Sequence, residues 1–133
     1  MRAPDADLAL LLDAAEAAGK IAKQHFRNAP QTWDKGGDDG PVTEADLAID
    51  RMLRDRLLAA RPDHGWLSEE TEDSTERLAH DQVFIVDPID GTNNYVRDVR
   101  VWATAVAAVV DGEPVAAAIV APAAAATSAA ASD

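Results

Sequence analysis

Cysteine is absent from the 133 residues. Disulfides, thiolate nucleophiles and Cys-ligated zinc or iron–sulfur centres are therefore excluded, and a reducing compartment fits. Basic residues are scarce: 12 Lys and Arg stand against 24 Asp and Glu, a formal net charge of −12. Nucleic acid draws in basic surfaces, so so acidic a chain is a poor partner for DNA, RNA or anionic lipid. A long apolar run is also missing. The longest, Val101 to Val110, holds Thr104 and ends at Asp111-Gly112, well short of the roughly 20 residues of a membrane span. The N-terminus, Met1-Arg2-Ala3-Pro4-Asp5-Ala6-Asp7, has no basic stretch ahead of an apolar one, unlike a signal peptide. The expectation is a cytoplasmic protein whose partners include neither membrane nor nucleic acid polymer.

What is present patterns as one domain of mixed α and β structure. Leu8, Leu11, Leu12, Ala15, Gly19, Ala22 and Phe26 recur at three- and four-residue steps, the apolar stripe of a helix, with Pro30 as its stop. Residues 31–42, QTWDKGGDDGPV, read as a glycine-rich loop. A second helix is expected from Thr43, with Ala45, Ile49, Met52, Leu53 and Leu57 as its stripe and Pro62 beyond its end. Gly65 to Ser68 reads as a short strand ending in Glu69-Glu70, and residues 71–81 as a charged surface loop or short helix. Val83-Phe84-Ile85-Val86 is a buried strand that stops at Asp87. Val101–Val110 and Val115–Val120 form a hairpin around Asp111-Gly112. The domain is placed at residues 1–122; the alanine-rich tail, 123–133, is expected to be disordered, frayed or a marginal helix. The two nearly continuous apolar strands, with nothing later to cover them, predict an exposed sheet face and self-association into a homo-oligomer.

Chemistry concentrates in Asp87-Pro88-Ile89-Asp90-Gly91-Thr92. Two carboxylates three residues apart leave the end of an apolar strand, with the Ile89 carbonyl between them. Oxygen donors of this kind suit Mg²⁺, a hard ion of octahedral habit. Gly91 lets the backbone approach a ligand, and a helix opening near Thr92 would turn free N–H groups toward a phosphate. Asp-Pro and Asp-Gly are also ordinary turn formers, but the whole string after a strand is far more specific. Glu69-Glu70 offers a second acidic position, though adjacent glutamates are most often surface charge. Thr43 and Asp46 form a T-x-x-D capping box, a role compatible with site duty. Lys35, in the glycine-rich loop, reaches a phosphate or is simply solvated. His25, His64 and His80 are scattered without ligand spacing. An acidic protein that handles a phosphate needs a cation between the two.

Three strings in order, Gly40-Pro41-Val42-Thr43-Glu44-Ala45-Asp46, Ser68-Glu69-Glu70-Thr71 and Asp87-Pro88-Ile89-Asp90-Gly91-Thr92-Asn93-Asn94-Tyr95, resemble the inositol monophosphatase family over residues 8–122. The wording of WDKGGDDGPVTEAD and GWLSEET looks most similar to the bacterial 3′(2′),5′-bisphosphate nucleotidase branch. The resemblance implies the N-terminal half of that sugar-phosphatase fold, an α+β arrangement of two helices on a mostly antiparallel sheet. It implies Mg²⁺-dependent hydrolysis of a small phosphorylated metabolite, an inositol phosphate or 3′-phosphoadenosine 5′-phosphate. Glu69, Asp87 and the Ile89 carbonyl would hold a first metal, and Asp87 and Asp90 a second. Thr92, with Asp46 or Glu69, would orient the attacking water, and the Gly91 and Thr92 amides would hold the phosphate. Two features depart from the family pattern. Asp98 replaces a glycine after the aromatic residue. The W-D-x-G or W-D-x-A motif of the family's later half is absent, Trp33-Asp34-Lys35-Gly36 lying in the wrong place. The resemblance therefore implies impaired activity, or a non-catalytic metal- or phosphate-binding remnant. A plain acidic interaction domain does not explain three motifs in family order.

Overall fold

A computed structural model of the chain describes residues 4–26, 32–34, 41–70, 78–97, 99, 102–124 and 126–131. Helix α1, Pro4–His25, carries the first stripe; Leu11, Ala15 and Ala22 are fully buried. Helix α2, Glu44–Ala60, carries the second, burying Ala45, Ile49, Leu53 and Leu57. Asp7 on α1 accepts from Arg61 just past α2 at 3.2 Å, in a pair mostly out of solvent. Both helices pack on one face of a five-stranded sheet, α1 over β5 and β6, α2 over β4.

The strands are β3, Gly65–Ser68; β4, Gln82–Asp90; β5, Ala103–Val110; β6, Glu113–Ala121; and β7, Ala126–Ala131, in that spatial order. Only β3 and β4 run parallel, with Ser68 opposite Val86; the other neighbours are antiparallel. Side chains alternate across the sheet as the pleat requires. Phe84, Val86, Thr104, Val106, Ala108, Ala116, Ala118 and Val120 are buried on the helix side, while Ile85 and Ile119 stay exposed. At Gly19 a Cβ would stand 3.4 Å from Val120 and Pro122 side chains, so the missing side chain lets α1 lie close to β6. The fold is thus α+β, two helices on a mostly antiparallel sheet, as expected from the sequence.

Three local expectations are corrected. The loop 31–42 contains two short antiparallel strands, β1, Thr32–Asp34, and β2, Pro41–Thr43, paired Thr32 to Thr43. Strand β4 does not stop at Asp87 but runs to Asp90, with an irregular register between Asp87 and Asp90 against β5. The described part of the tail forms a strand: after a 3₁₀ turn at Pro122–Ala124, β7 pairs along β6 from Ala126–Ala121 to Ala131–Ala116. Alanine carries no apolar–polar alternation to announce a strand; β6 supplies the hydrogen-bonding template. Among the described residues, no helix is long and apolar enough to cross a membrane.

Candidate functional site

Thr43, in extended conformation, caps α2: its hydroxyl accepts from the Asp46 amide at 3.2 Å. Asp46 Oδ2 in turn accepts from the Thr43 amide at 2.8 Å and the Thr43 hydroxyl at 2.6 Å. This is the reciprocal capping box expected from T-x-x-D. It is fully buried, and it leaves Asp46 Oδ1 aimed elsewhere. That oxygen lies 3.1 Å from the Thr92 hydroxyl, which also lies 2.9 Å from the Ile89 carbonyl. One hydroxyl has a single proton to donate, so Thr92 gives it to either acceptor and keeps lone pairs free.

Thr92 opens the short helix α3, Thr92–Val96, whose N-cap is Gly91 at φ 89°. A positive φ of this kind suits glycine. The segment is pinned from both sides. Thr104, the polar residue in an otherwise apolar β5, donates to the Pro88 carbonyl at 2.7 Å. Tyr95 donates to the Ala22 carbonyl at 2.7 Å. Phe26, Tyr95 and Trp102 pack mutually in tilted and edge-to-face pairs, with ring centroids 4.9–5.5 Å apart. Burial, and then the Asp46 and Glu44 carboxylates, hold the Tyr95 phenol well above its ordinary pKa.

The carboxylates meet at the end of the β3–β4 pair. The Glu69 amide donates to the Val86 carbonyl at 3.2 Å, which sets Glu69 beside Asp87. Both line a recess of about 400 Å³, together with Leu67, Ile85 and Ile119, on the sheet face away from the helices. Asp87 Oδ1 is buried there; Glu69 and Asp90 are exposed. The expected convergence of Glu69, Asp87 and Asp90 is incomplete: among the described residues, no group of three or more His, Asp or Glu side chains stands ready to hold a metal. Glu69 and Asp87 line this recess, and Asp90 is not among its lining residues. In kind the donors fit a hard cation, since carboxylate and carbonyl oxygens occur there without His or Cys. Lys35 and Asp98 lie outside the described residues.

Two residues escaped the sequence reading. Asp50 accepts from the Ser68 hydroxyl, and Ser68 Oγ accepts from the Glu70 amide at 3.2 Å. The i, i+4 spacing of Asp46 and Asp50 on one helix face was the available signal.

The model of a family described as "Inositol monophosphatase family" matches residues 4–133. The chain belongs to the inositol monophosphatase family. The match runs through the alanine-rich tail, beyond the limit at residue 122 expected from the motifs. A histidinol-phosphatase of Mycobacterium tuberculosis is 40% identical over 117 residues, covering 88% of this chain and 44% of that protein. A 3′(2′),5′-bisphosphate nucleotidase of Salmonella typhimurium is 33% identical over 110 residues, covering 81% of this chain and 45% of that protein. Among solved structures, the extragenic suppressor protein suhB of Bartonella henselae superimposes with a TM-score of 0.85 at 28% identity, covering 95% of this chain and 49% of that one. The chain thus spans about half the length of these relatives. By name the first of these relatives is a phosphatase and the second a nucleotidase.

Proposed function

We propose that this chain carries the metal- and phosphate-binding half of a Mg²⁺-dependent phosphomonoesterase acting on a small phosphorylated metabolite in the cytoplasm. The observation that carries the reading is the Thr43–Asp46–Thr92 chain, buried at Thr43 and Asp46 and ending at the Ile89 carbonyl. A water beside Thr92 passes a proton to the threonine oxygen as Thr92 hands its own to Asp46, a relay of the general-base kind. Asp46 is held for this by the capping box, so no side-chain rearrangement is needed. Glu69 and Asp87, with the Ile89 carbonyl and Asp90, would hold the metal. Bound there, Mg²⁺ supplies positive charge that neutralises the phosphate oxygens. The first amides of α3, at Gly91 and Thr92, have no acceptor inside the helix and face the phosphate. Lys35 joins them in this reading.

Histidinol phosphate, inositol monophosphate and 3′-phosphoadenosine 5′-phosphate are the substrates to test, the first and last suggested by the relatives' names. Phosphate release is measured with and without Mg²⁺, against Asp87→Asn. The family's W-D-x-G aspartate has no counterpart here. A missing ligand costs at least the roughly 10–100-fold of lost outer-shell support. The expected result is slow, Mg²⁺-dependent release that Asp87→Asn abolishes, far below the enzyme median of about 10 s⁻¹. Release no faster than in Asp87→Asn sinks the catalytic reading and leaves the second one, a non-catalytic remnant that binds metal or phosphate.

A further inference from the structure

We propose that Asp50 is a positioning residue that fixes Glu69 for cation binding. The inference rests on the metal-site reading above and adds a residue to which the sequence motifs assign no role. Asp46 and Asp50 stand four residues apart on α2, on one face. Asp46 reaches α3 and holds Thr92. Asp50 reaches the end of β3 and accepts from Ser68 Oγ. A single helix therefore grips both borders of the site.

The grip of Asp50 bears on Glu69 through the backbone. Ser68 is buried on the helix side, and its hydroxyl oxygen, oriented by donation to Asp50, accepts from the Glu70 amide at 3.2 Å. The preceding amide, that of Glu69, is bound to the Val86 carbonyl at 3.2 Å. The peptide groups on either side of Glu69 are thus both tied down. Between these two tied peptide groups, Glu69 lines the recess it shares with Asp87. Without the Asp50 acceptor, the Ser68 hydroxyl turns to another partner and the Glu70 amide loses its fixed acceptor. The turn loosens, and Glu69 must be ordered each time a cation binds. Outer-shell partners of metal ligands act in this way.

Mn²⁺ is the probe, its free concentration read by electron paramagnetic resonance in titrations of the full chain, with melting temperatures taken in parallel. Asp50→Ala is expected to weaken Mn²⁺ binding about 10–100-fold. Asp50→Asn keeps a carbonyl oxygen for Ser68 and is expected to restore most of the affinity. Ser68→Ala should lose as much as Asp50→Ala, and the double variant no more than either, since both remove one chain of contacts. Asp55→Ala removes an equal charge from an exposed position of α2 and should bind like the wild type. Wild-type affinity in Asp50→Ala and Ser68→Ala overturns the proposal. So does an equal loss in Asp55→Ala, which signals bulk charge, or a loss that merely follows the melting temperature. A wild-type chain that takes up no Mn²⁺ overturns the metal-site reading itself, and this one with it.

Discussion

Asp46 is the residue on which both stability and chemistry converge. It is 0% exposed, and each of its two oxygens is engaged. Removing the Asp46 carboxylate takes the acceptor from the Thr43 amide, the Thr43 hydroxyl and the Thr92 hydroxyl, whereas removing the Thr43 hydroxyl strands the Asp46 amide alone. Thr43→Ala should cost about 0.5–2 kcal/mol, the usual loss of an N-cap. Asp46→Ala should cost more, since about 1–3 kcal/mol attends each buried group left unsatisfied. Urea unfolding of both variants checks the order; equal losses would mean that Asp46 serves only as a cap. Tyr95 reports on the same neighbourhood by pH. It is the sole tyrosine, its pKa raised by burial and then by the Asp46 and Glu44 carboxylates. Below about pH 10, the ordinary tyrosine value, folded and unfolded chains both keep the phenol proton, and the contribution to stability is fully present. Above it the unfolded chain loses the proton while the folded chain retains it, so stability falls as pH rises. In a spectrophotometric titration, phenolate absorbance should appear only together with loss of the helical circular dichroism. Phenolate formed near pH 10 in a still-folded chain would contradict the buried placement.

Elements were legible in proportion to how much of their signal is local. The α1 and α2 stripes, the β-branched Val83–Val86 and the Asp111-Gly112 turn all announced themselves. The turn takes the expected left-handed form, with φ of 51° at Asp111 and 79° at Gly112, as a two-residue hairpin loop demands. Nothing lies within 4 Å of a Cβ added at Gly112, so Gly112→Ala meets only the backbone penalty. The expected loss is about 1–2 kcal/mol, and Gly112→Asn should lose less because asparagine tolerates this region. Urea midpoints decide; no loss in Gly112→Ala would mean that the hairpin adopts another turn. Elements defined by their neighbours were not legible. Strand β7 is written in alanine, serine and threonine and exists by pairing with β6. Strands β1 and β2 are three residues each and need one another. At the site, Thr43–Asp46 was readable as a four-residue motif. The Thr92 bridge to Asp46 spans 46 residues and the Ser68 bridge to Asp50 spans 18, so only the resemblance hinted at the first, and only the i, i+4 spacing of Asp46 and Asp50 at the second.

At the scale of the molecule, the helices cover one sheet face, and among the described residues no element covers the other. Leu67, Ile85, Ala105, Ala107, Ala117 and Ile119 line its recess, with Ile85 40% and Ile119 48% exposed. Among the described residues the outermost strand beside β6 is β7, whose six residues contain no charge, proline or bulge, the devices that ordinarily keep an edge strand from pairing with another chain. An apolar face flanked by an unguarded edge favours a second copy of this chain as its cover. The net charge of −12 works against that pairing at long range, and salt screens it over about 10 Å at 0.1 M. Self-association should therefore grow with both protein concentration and salt, as read by sedimentation velocity. Ile85→Lys and Ile119→Lys test the face, and Ala129→Lys tests the edge. If copies meet face to face, the isoleucine variants dissociate them and Ala129→Lys does not; if they meet edge to edge, the pattern reverses. A single monomer boundary at every concentration and salt would show that the open face tolerates water, and that the apolar recess beside Glu69 and Asp87 stays accessible in the isolated chain.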